Sequence, residues 1–431
     1  MDTRELNISG LAPARAGGDD SAKQGSRGQV MLDQSSRVSG ASPAELLARA
    51  RALVPEIAAE ARATEQQRRL SDAIVAKLKH AEILRICQPA RSGGFEYGGE
   101  LLLDLALVLA PACAATAWCT LVSIGHHWLL ALFDLPAQDD VWSADPDAFL
   151  CGSYAPTGQA VPIEGGYWLT GKWGFASGCD HASWAIVSGI IPATDTDKPR
   201  PAFFLIPASD YAIEDDWFTS GLSGTGSKTI ASSECFVPTH RILDFAAAMG
   251  GTAPGASAHT NPCYRVPLVS YVPVMLGSVA IGAAQGAVRD YLERIRIRET
   301  RGAIAGGRMR MADFTTIQLR VAEAAAAAAA AETLMRNELR AVVAAATEAR
   351  TLTIDERVTF RRDQAFAVKL AIQATDVLNA STGGTGLYLT DPVQRAWRDA
   401  NAVGRHVSLN WDAVGTMYGQ MVLGLPPIGQ Y

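Results

Sequence analysis

Charge is sparse in this chain and nowhere concentrated. Only 19% of the 431 residues are charged, the formal net charge is −6, and no run of Lys and Arg occurs. Nucleic-acid binders carry a basic patch as their electrostatic footprint, so the composition speaks against that class. The seven cysteines (87, 113, 119, 151, 179, 235 and 263) form no C-x-x-C pair, and the seven histidines form no H-x-x-x-H pair. No zinc site or disulfide framework is expected; free thiols in a reducing cytoplasm are. Residues 1–40 are polar and rich in Gly, Ser, Asp and Arg, with no signal-peptide pattern. Two uncharged stretches, 105–133 and 266–288, are long enough to cross a bilayer. The first is interrupted by Pro111, Gly125, His126 and His127, the second by Pro267, Ser270, Pro273, Ser278 and Gln285. Both read as buried core helices, with no membrane partner. Glutamate is absent after Glu356.

What is present is apolar patterning, with 48% hydrophobic residues in a chain long enough to bury a large core. Residues 1–41 lack periodicity and are expected to be disordered or loosely attached. Ser42-Pro43-Ala44-Glu45 then supplies a capping serine, a proline at the first helical position and a glutamate at the third. Helical spacing continues to Leu84, with Ser71 as a second cap. Further helices are expected over Glu100–Leu109 and from Cys113 to Phe133, so 42–145 reads as a helical domain. From Phe149 the rhythm shortens. Segments 166–173, 184–188, 202–206 and 233–237 are separated by Gly, Pro, Asp and Ser turns, which predicts a compact antiparallel, barrel-like β domain over 146–248. A Gly-, Ala- and Ser-rich linker covers 246–262. Long helices return over 263–431. One runs to about Thr300, starting near Val266 or only at Val274, since Pro273 would break or kink it. Others are expected over Asp313–Ala346 with its alanine-rich 322–331, over Asp355–Ala380, and as two short helices after the turn at 382–386. Periodicity alone gives an α+β chain with a helical bundle.

Four segments are more specific. Ala112-Cys113-Ala114-Ala115-Thr116-Ala117-Trp118 is followed by His126. Trp173-Gly174-Phe175-Ala176-Ser177-Gly178-Cys179-Asp180-His181-Ala182 is the second, and Gly221-Leu222-Ser223-Gly224-Thr225-Gly226-Ser227-Lys228 the third. The fourth runs from Arg395 through Arg398 and Asp399 to His406. The third is not a P-loop, because Ser227 separates Gly226 from Lys228, and 383–386 is no dinucleotide fingerprint, because no strand precedes it. Together the four resemble the oxygenase component of two-component flavin monooxygenases of the p-hydroxyphenylacetate 3-hydroxylase type, within the acyl-CoA dehydrogenase fold superfamily. The resemblance spans about residues 45–425, and its second segment is the most specific.

That resemblance implies a helical domain, a middle β domain and a C-terminal four-helix bundle. It implies FMNH2 or FADH2 delivered by a separate flavin reductase, reaction with O2 to a C4a-hydroperoxyflavin, and hydroxylation of a phenolic or indolic aromatic by a homotetramer. Most dehydrogenases of the superfamily place a catalytic glutamate near the His406 position, but here Val407 follows His406. By the resemblance His406 accepts the substrate's proton, for which an imidazole near its ordinary pKa of ~6.5 suits. Ser177 is expected to donate to the flavin N5 region. His126, with Trp118, is expected at the substrate; His127 points ~100° away on the same helix. Ser153, Thr225 and Ser227 are expected at the flavin edge, and Arg301 and Gln318 at its phosphate or adenine, a role that suits guanidinium. Tyr264 and Arg265 are candidates for an anionic substrate group. His181 is expected to position its turn, and nothing marks Cys179 as reactive. The rival readings are an acyl-CoA dehydrogenase with its base at Glu293 or Glu299, an N- or S-oxygenating relative, and a catalytically idle relative.

Overall fold

The first helix begins where the sequence places its cap. Ser42 Oγ accepts the Glu45 N–H at 3.3 Å and the Glu45 carboxylate accepts the Ser42 N–H at 2.6 Å, a complete capping box. The computed structural model describes residues 40–193, 198–300 and 308–431. Five helices come first: α1 (Pro43–Gln67), α2 (Asp72–His80), α3 (Glu100–Leu109), α4 (Ala114–Leu130) and α5 (Leu135–Trp142). Helix α4 is buried on every face, Val122 being its one residue outside the buried class. A helix apolar all round belongs inside a large core. Here it packs on α3 and on the strand and bundle helix described next.

Seven strands follow: β1 (Leu150–Ile163), β2 (Gly166–Ala176), β3 (Trp184–Ile191), β4 (Arg200–Pro207), β5 (Ala212–Glu214), β6 (Lys228–Pro238) and β7 (Ile242–Asp244). They form one sheet in the order β5-β6-β2-β1-β3-β4-β7. The expectation of an antiparallel domain needs correcting at one place, since β1 and β3 run parallel, Leu150 lying beside Trp184. After β2 returns along β1, residues 177–183 carry the chain across the sheet end and start β3 on the other side of β1. That crossover is the second specific segment. Alternation splits the strands between two cores: Leu150, Ile186 and Phe203 face the helices, while Cys151, Val187 and Phe204 face the sheet's own core.

The expected linker contains two short helices, α6 (Phe245–Gly250) and α7 (Pro254–Ala258). The bundle comprises α8 (Leu268–Ile295), α9 (Thr315–Thr347), α10 (Ile354–Asn379), α11 (Pro392–Val403) and α12 (Trp411–Val422). Pro273 lies within α8 instead of ending it. Only six residues into the helix, it removes a single backbone bond, to Val269. By length and composition α8 is apolar enough to cross a membrane, but 89% of that window is buried against the protein. Helices α8, α9, α10 and α11 pack on one another, and α4 packs on α8. The whole is α+β.

Candidate active site

Three of the four specific segments are joined by hydrogen bonds around α4. Trp118 Nε1–H donates to Ser177 Oγ at 2.9 Å. Ser177 Oγ lies 2.8 Å from Ser227 Oγ, which lies 2.6 Å from Thr225 Oγ1. Thr225 Oγ1–H donates to the Leu222 carbonyl at 2.7 Å. The fourth segment, on α11, holds this turn in place. Asp399 Oδ1 accepts the Leu222 N–H at 2.7 Å, while Arg398 donates to Ser220 O at 2.6 Å and pairs with Glu65 of α1. The approach is close enough that a Cβ on Gly221 would run into the Arg398 carbonyl. Burial raises the Asp399 pKa to about 6 against the lowering effect of the Leu222 N–H.

Trp118 also reaches the end of the fourth segment, its ring meeting His406 edge-on with centroids 6.0 Å apart. The loop after α11 fixes this imidazole. Its Nδ1 lies 2.7 Å from Ser408 Oγ and accepts the Ser408 backbone N–H at 3.3 Å. A backbone N–H can only donate, so Nδ1 offers a lone pair and the neutral ring carries its proton on Nε2. Among the described residues nothing hydrogen-bonds that Nε2. Burial, and then the nearby Arg361 guanidinium, lower the His406 pKa to about 4, well under the expected value near 6.5. Arg361 is itself buried. It donates to Ser408 O at 2.6 Å and to Gln364 Oε1 at 2.7 Å, and Gln364 donates to Glu338 Oε1 at 3.0 Å. A buried polar chain thus runs from α9 through α10 to the His406 loop.

His126 sits two turns along α4 from Trp118, about 12 Å at 1.5 Å per residue. Its Nδ1–H donates to Val122 O at 2.7 Å, leaving Nε2 as an unprotonated acceptor, buried and, among the described residues, without a partner. Tyr154 of β1 meets the ring edge-on at 5.5 Å, and a Cβ on Gly152 would come within 2.5 Å of Nε2. Burial lowers this pKa to about 4. His126 and His406 are therefore both neutral rings of opposite tautomer, one presenting a lone pair and the other an N–H. No contact joins His126 to Ser177 directly. His127 has both nitrogens spent, on Ala148 O at 2.9 Å and on Trp142 Nε1–H at 3.0 Å.

Other candidates are scattered. Strand alternation sets Ser153 on the sheet face opposite Gly152 and Tyr154, and its hydroxyl bonds no described residue. Tyr264 is a core residue whose hydroxyl donates to Cys87 O at 3.0 Å, while Arg265 is exposed; no hydrogen bond or ring contact brings either to Ser177, His126 or His406. Gln318 is exposed, its amide donating to Ala312 O at 3.0 Å, and Arg301 lies outside the described residues. His181 bonds Leu70 O at 3.1 Å, and the buried Cys179 thiol is pushed up to about 12. Glu293 and Glu299 are both exposed.

One residue escaped the sequence reading. Phe175, two positions before Ser177, has φ 64° and is 74% exposed, edge-on to Trp217 at 5.8 Å. Left-handed backbone is rare for an aromatic and marks a held conformation. Its signal in sequence is only an aromatic after Trp173-Gly174. An exposed Phe175 against a half-buried Trp217, beside a neutral hydroxyl chain, fits a flat heteroaromatic ring with a polar edge, as in a flavin. Among the described residues no cluster of His, Cys, Asp or Glu fits a metal ion.

The helical domain, the single sheet and the C-terminal bundle together define an acyl-CoA dehydrogenase-like scaffold. Residues 274–411 match the family described as acyl-CoA dehydrogenase, C-terminal domain. The chain is 49% identical over 378 residues to the FADH(2)-dependent resorcinol hydroxylase oxygenase component of Rhizobium sp. (strain MTP-10005), covering 86% of this chain and 92% of that one. Among solved structures it is similar to 3-HSA hydroxylase from Rhodococcus sp. RHA1, with TM-score 0.84, 35% identity, and 90% of this chain and 98% of that one covered. It is also similar to XiaF from Streptomyces sp. in complex with FADH2 and glycerol, with TM-score 0.81, 30% identity, and coverage of 90% and 97%. The chain belongs to the oxygenase components of flavin-dependent monooxygenases. It is an enzyme that works with reduced flavin and O2.

Proposed function

We propose that this chain hydroxylates a small phenol, of the kind the 49% identical resorcinol hydroxylase acts on, using FMNH2 or FADH2 supplied by a separate reductase. The observation that carries the reading is the joining of Trp118 to both the Ser177 hydroxyl chain and His406. Bound reduced flavin supplies an electrophilic oxygen atom derived from O2. The chain's own residues do the rest. Phe175 and Trp217 offer a flat face for the ring, and Ser177, with Ser227 and Thr225 behind it, meets the N5 edge. His406 donates its Nε2–H to the substrate oxygen and stabilises the more nucleophilic phenolate, whose proton has passed to solvent, with burial and then Arg361 keeping the ring neutral. His126 accepts a substrate hydroxyl at its free Nε2. The buried walls around α4 exclude water, which strengthens each of these bonds.

The assembly we propose is a cytoplasmic homotetramer, in which exposed Gln318 reaches a neighbouring subunit's flavin. Purified protein mixed with a flavin reductase, NADH, FAD and O2 tests the activity, with resorcinol, monohydric phenols, indoles and acyl-CoA thioesters as substrates. Hydroxylated phenol is expected. Oxidation of a thioester, with no oxygenated product from any aromatic, would overturn the proposal.

A further inference from the structure

The hydroxyl chain behind Ser177 has a direction. Thr225 Oγ1 and Leu222 O are 2.7 Å apart; a carbonyl has no proton, so the proton between them belongs to Thr225. The Leu222 carbonyl also takes the Thr225 N–H at 3.1 Å and Trp217 Nε1–H at 3.2 Å, both longer than the 2.7 Å oxygen–oxygen contact, which is hydrogen-bond distance and needs a proton between the two oxygens. Thr225 then has no second proton for the 2.6 Å contact with Ser227, so Ser227 donates there. The Ser227 proton being spent, Ser177 must donate across the 2.8 Å contact to Ser227. Trp118 N–H takes one lone pair of Ser177, at 2.9 Å. Ser177 is left with a single unused valence on its oxygen, a lone pair. The expected donor is an acceptor.

We infer that the Thr225–Ser227 chain sets Ser177 as a hydrogen-bond acceptor, so that the site selects flavin whose N5 carries a proton over flavin whose N5 is bare. The inference rests on the proposed reading that Ser177 meets the N5 edge. Reduced flavin carries N5–H and completes the chain. Oxidised flavin turns a lone pair at N5 toward the Ser177 lone pair, and the two acceptors repel. To accommodate it, the chain must reverse, and Thr225 must give up its bond to Leu222 O. Thr225 and Ser227 are in this view positioning residues that act through Ser177. Every member of the chain is uncharged and buried, so the polarity does not depend on pH across the working range. The arrangement would let the enzyme take up the reduced cofactor in the presence of the oxidised form and release it after turnover.

The test compares Thr225→Val, which is nearly isosteric and has no hydroxyl, with Thr225→Ser, which restores one. Anaerobic titration with FADH2 and parallel titration with FAD give the dissociation constants. Thr225→Val frees Ser227 to donate to Ser177 and Ser177 to donate outward. It should lower the preference for FADH2 over FAD by roughly tenfold, the scale of one hydrogen bond. That corresponds to a drop of about 30 mV in the two-electron potential of the bound flavin. Thr225→Ser should keep the wild-type ratio. Ser227→Ala removes the acceptor for Ser177 directly and gives the same expectation if Thr225→Val does not fold. Equal weakening of both forms in Thr225→Val, or an unchanged ratio in a folded variant, would overturn the inference while leaving hydroxylation intact. Failure of the wild type to bind either flavin would overturn the proposed function as well.

Discussion

Replacing His406 separates a base from a donor. A base must take the phenol proton onto a ring whose pKa is about 4. From a phenol near pKa ~10 that transfer is uphill by roughly 8 kcal/mol, against ~5 kcal/mol for an unperturbed imidazole, at ~1.36 kcal/mol per pH unit. The only lone pair on the ring is also already engaged by the Ser408 N–H. A donor needs neither change, because Nε2–H is in place over the whole range above pH ~5. His406→Gln keeps an amide N–H at nearly the same reach, and His406→Ala removes it. Losing one donor to developing charge costs roughly 10²- to 10³-fold in rate. Single-turnover product formation, with saturating reduced flavin and O2 between pH 5.5 and 8.5, should fall by that factor in the alanine variant. The glutamine variant should stay within about tenfold of wild type. No limb belonging to His406 should appear in the wild-type profile in that range. A glutamine variant as slow as alanine, together with a wild-type limb near pH 6.5 that both variants lack, would refute the donor assignment.

Three further outcomes are expected. Ser177→Ala removes the group we propose meets N5 and leaves Trp118 N–H unpaired, so H2O2 release per NADH consumed should rise at least severalfold while substrate affinity changes little. Asp399 is raised from 3.8 to about 6 by burial, so the folded state favours its neutral form; as pH climbs from 4 through 6 the charged group costs up to about 3 kcal/mol of stability. Asp399→Asn keeps the acceptor for Leu222 N–H without the charge, and urea denaturation across pH 4–8 should show that slope flattened, whereas Asp399→Ala should be destabilised at every pH. Tyr264→Phe orphans the Cys87 carbonyl and should lose about 1–3 kcal/mol of stability with kcat/KM unchanged; a large rise in KM would return Tyr264 to the substrate site.

Patterns that depend on neighbours in sequence were legible, and those set by tertiary packing were not. The Ser42 capping box, the span Glu100–Leu109 and the helical return after Val266 follow from local spacing, because capping and amphipathicity are short-range. The parallel β1–β3 pair was hidden, since strand direction depends on how residues 177–183 cross the sheet. At the site, the specific segments identified Trp118, Ser177, Thr225, Ser227 and His406 as neighbours. Their protonation states were not legible: whether Ser177 donates or accepts depends on Leu222 O, and the His406 tautomer on the Ser408 N–H. Arg398 and Asp399 carried a motif whose purpose, anchoring the Ser220–Leu222 turn, appears only in three dimensions. Phe175 shows the same limit, because nothing in its sequence context encodes a left-handed backbone.

The all-round burial of α4 has a consequence for how such an enzyme diversifies. Nearly every side chain on it is buried, so a change of size there disturbs packing before it alters preference for a new molecule. Drift toward new aromatic targets is therefore expected to accumulate in the surrounding strands and in the loop bearing His406, with α4 itself the slowest part of the cleft to vary.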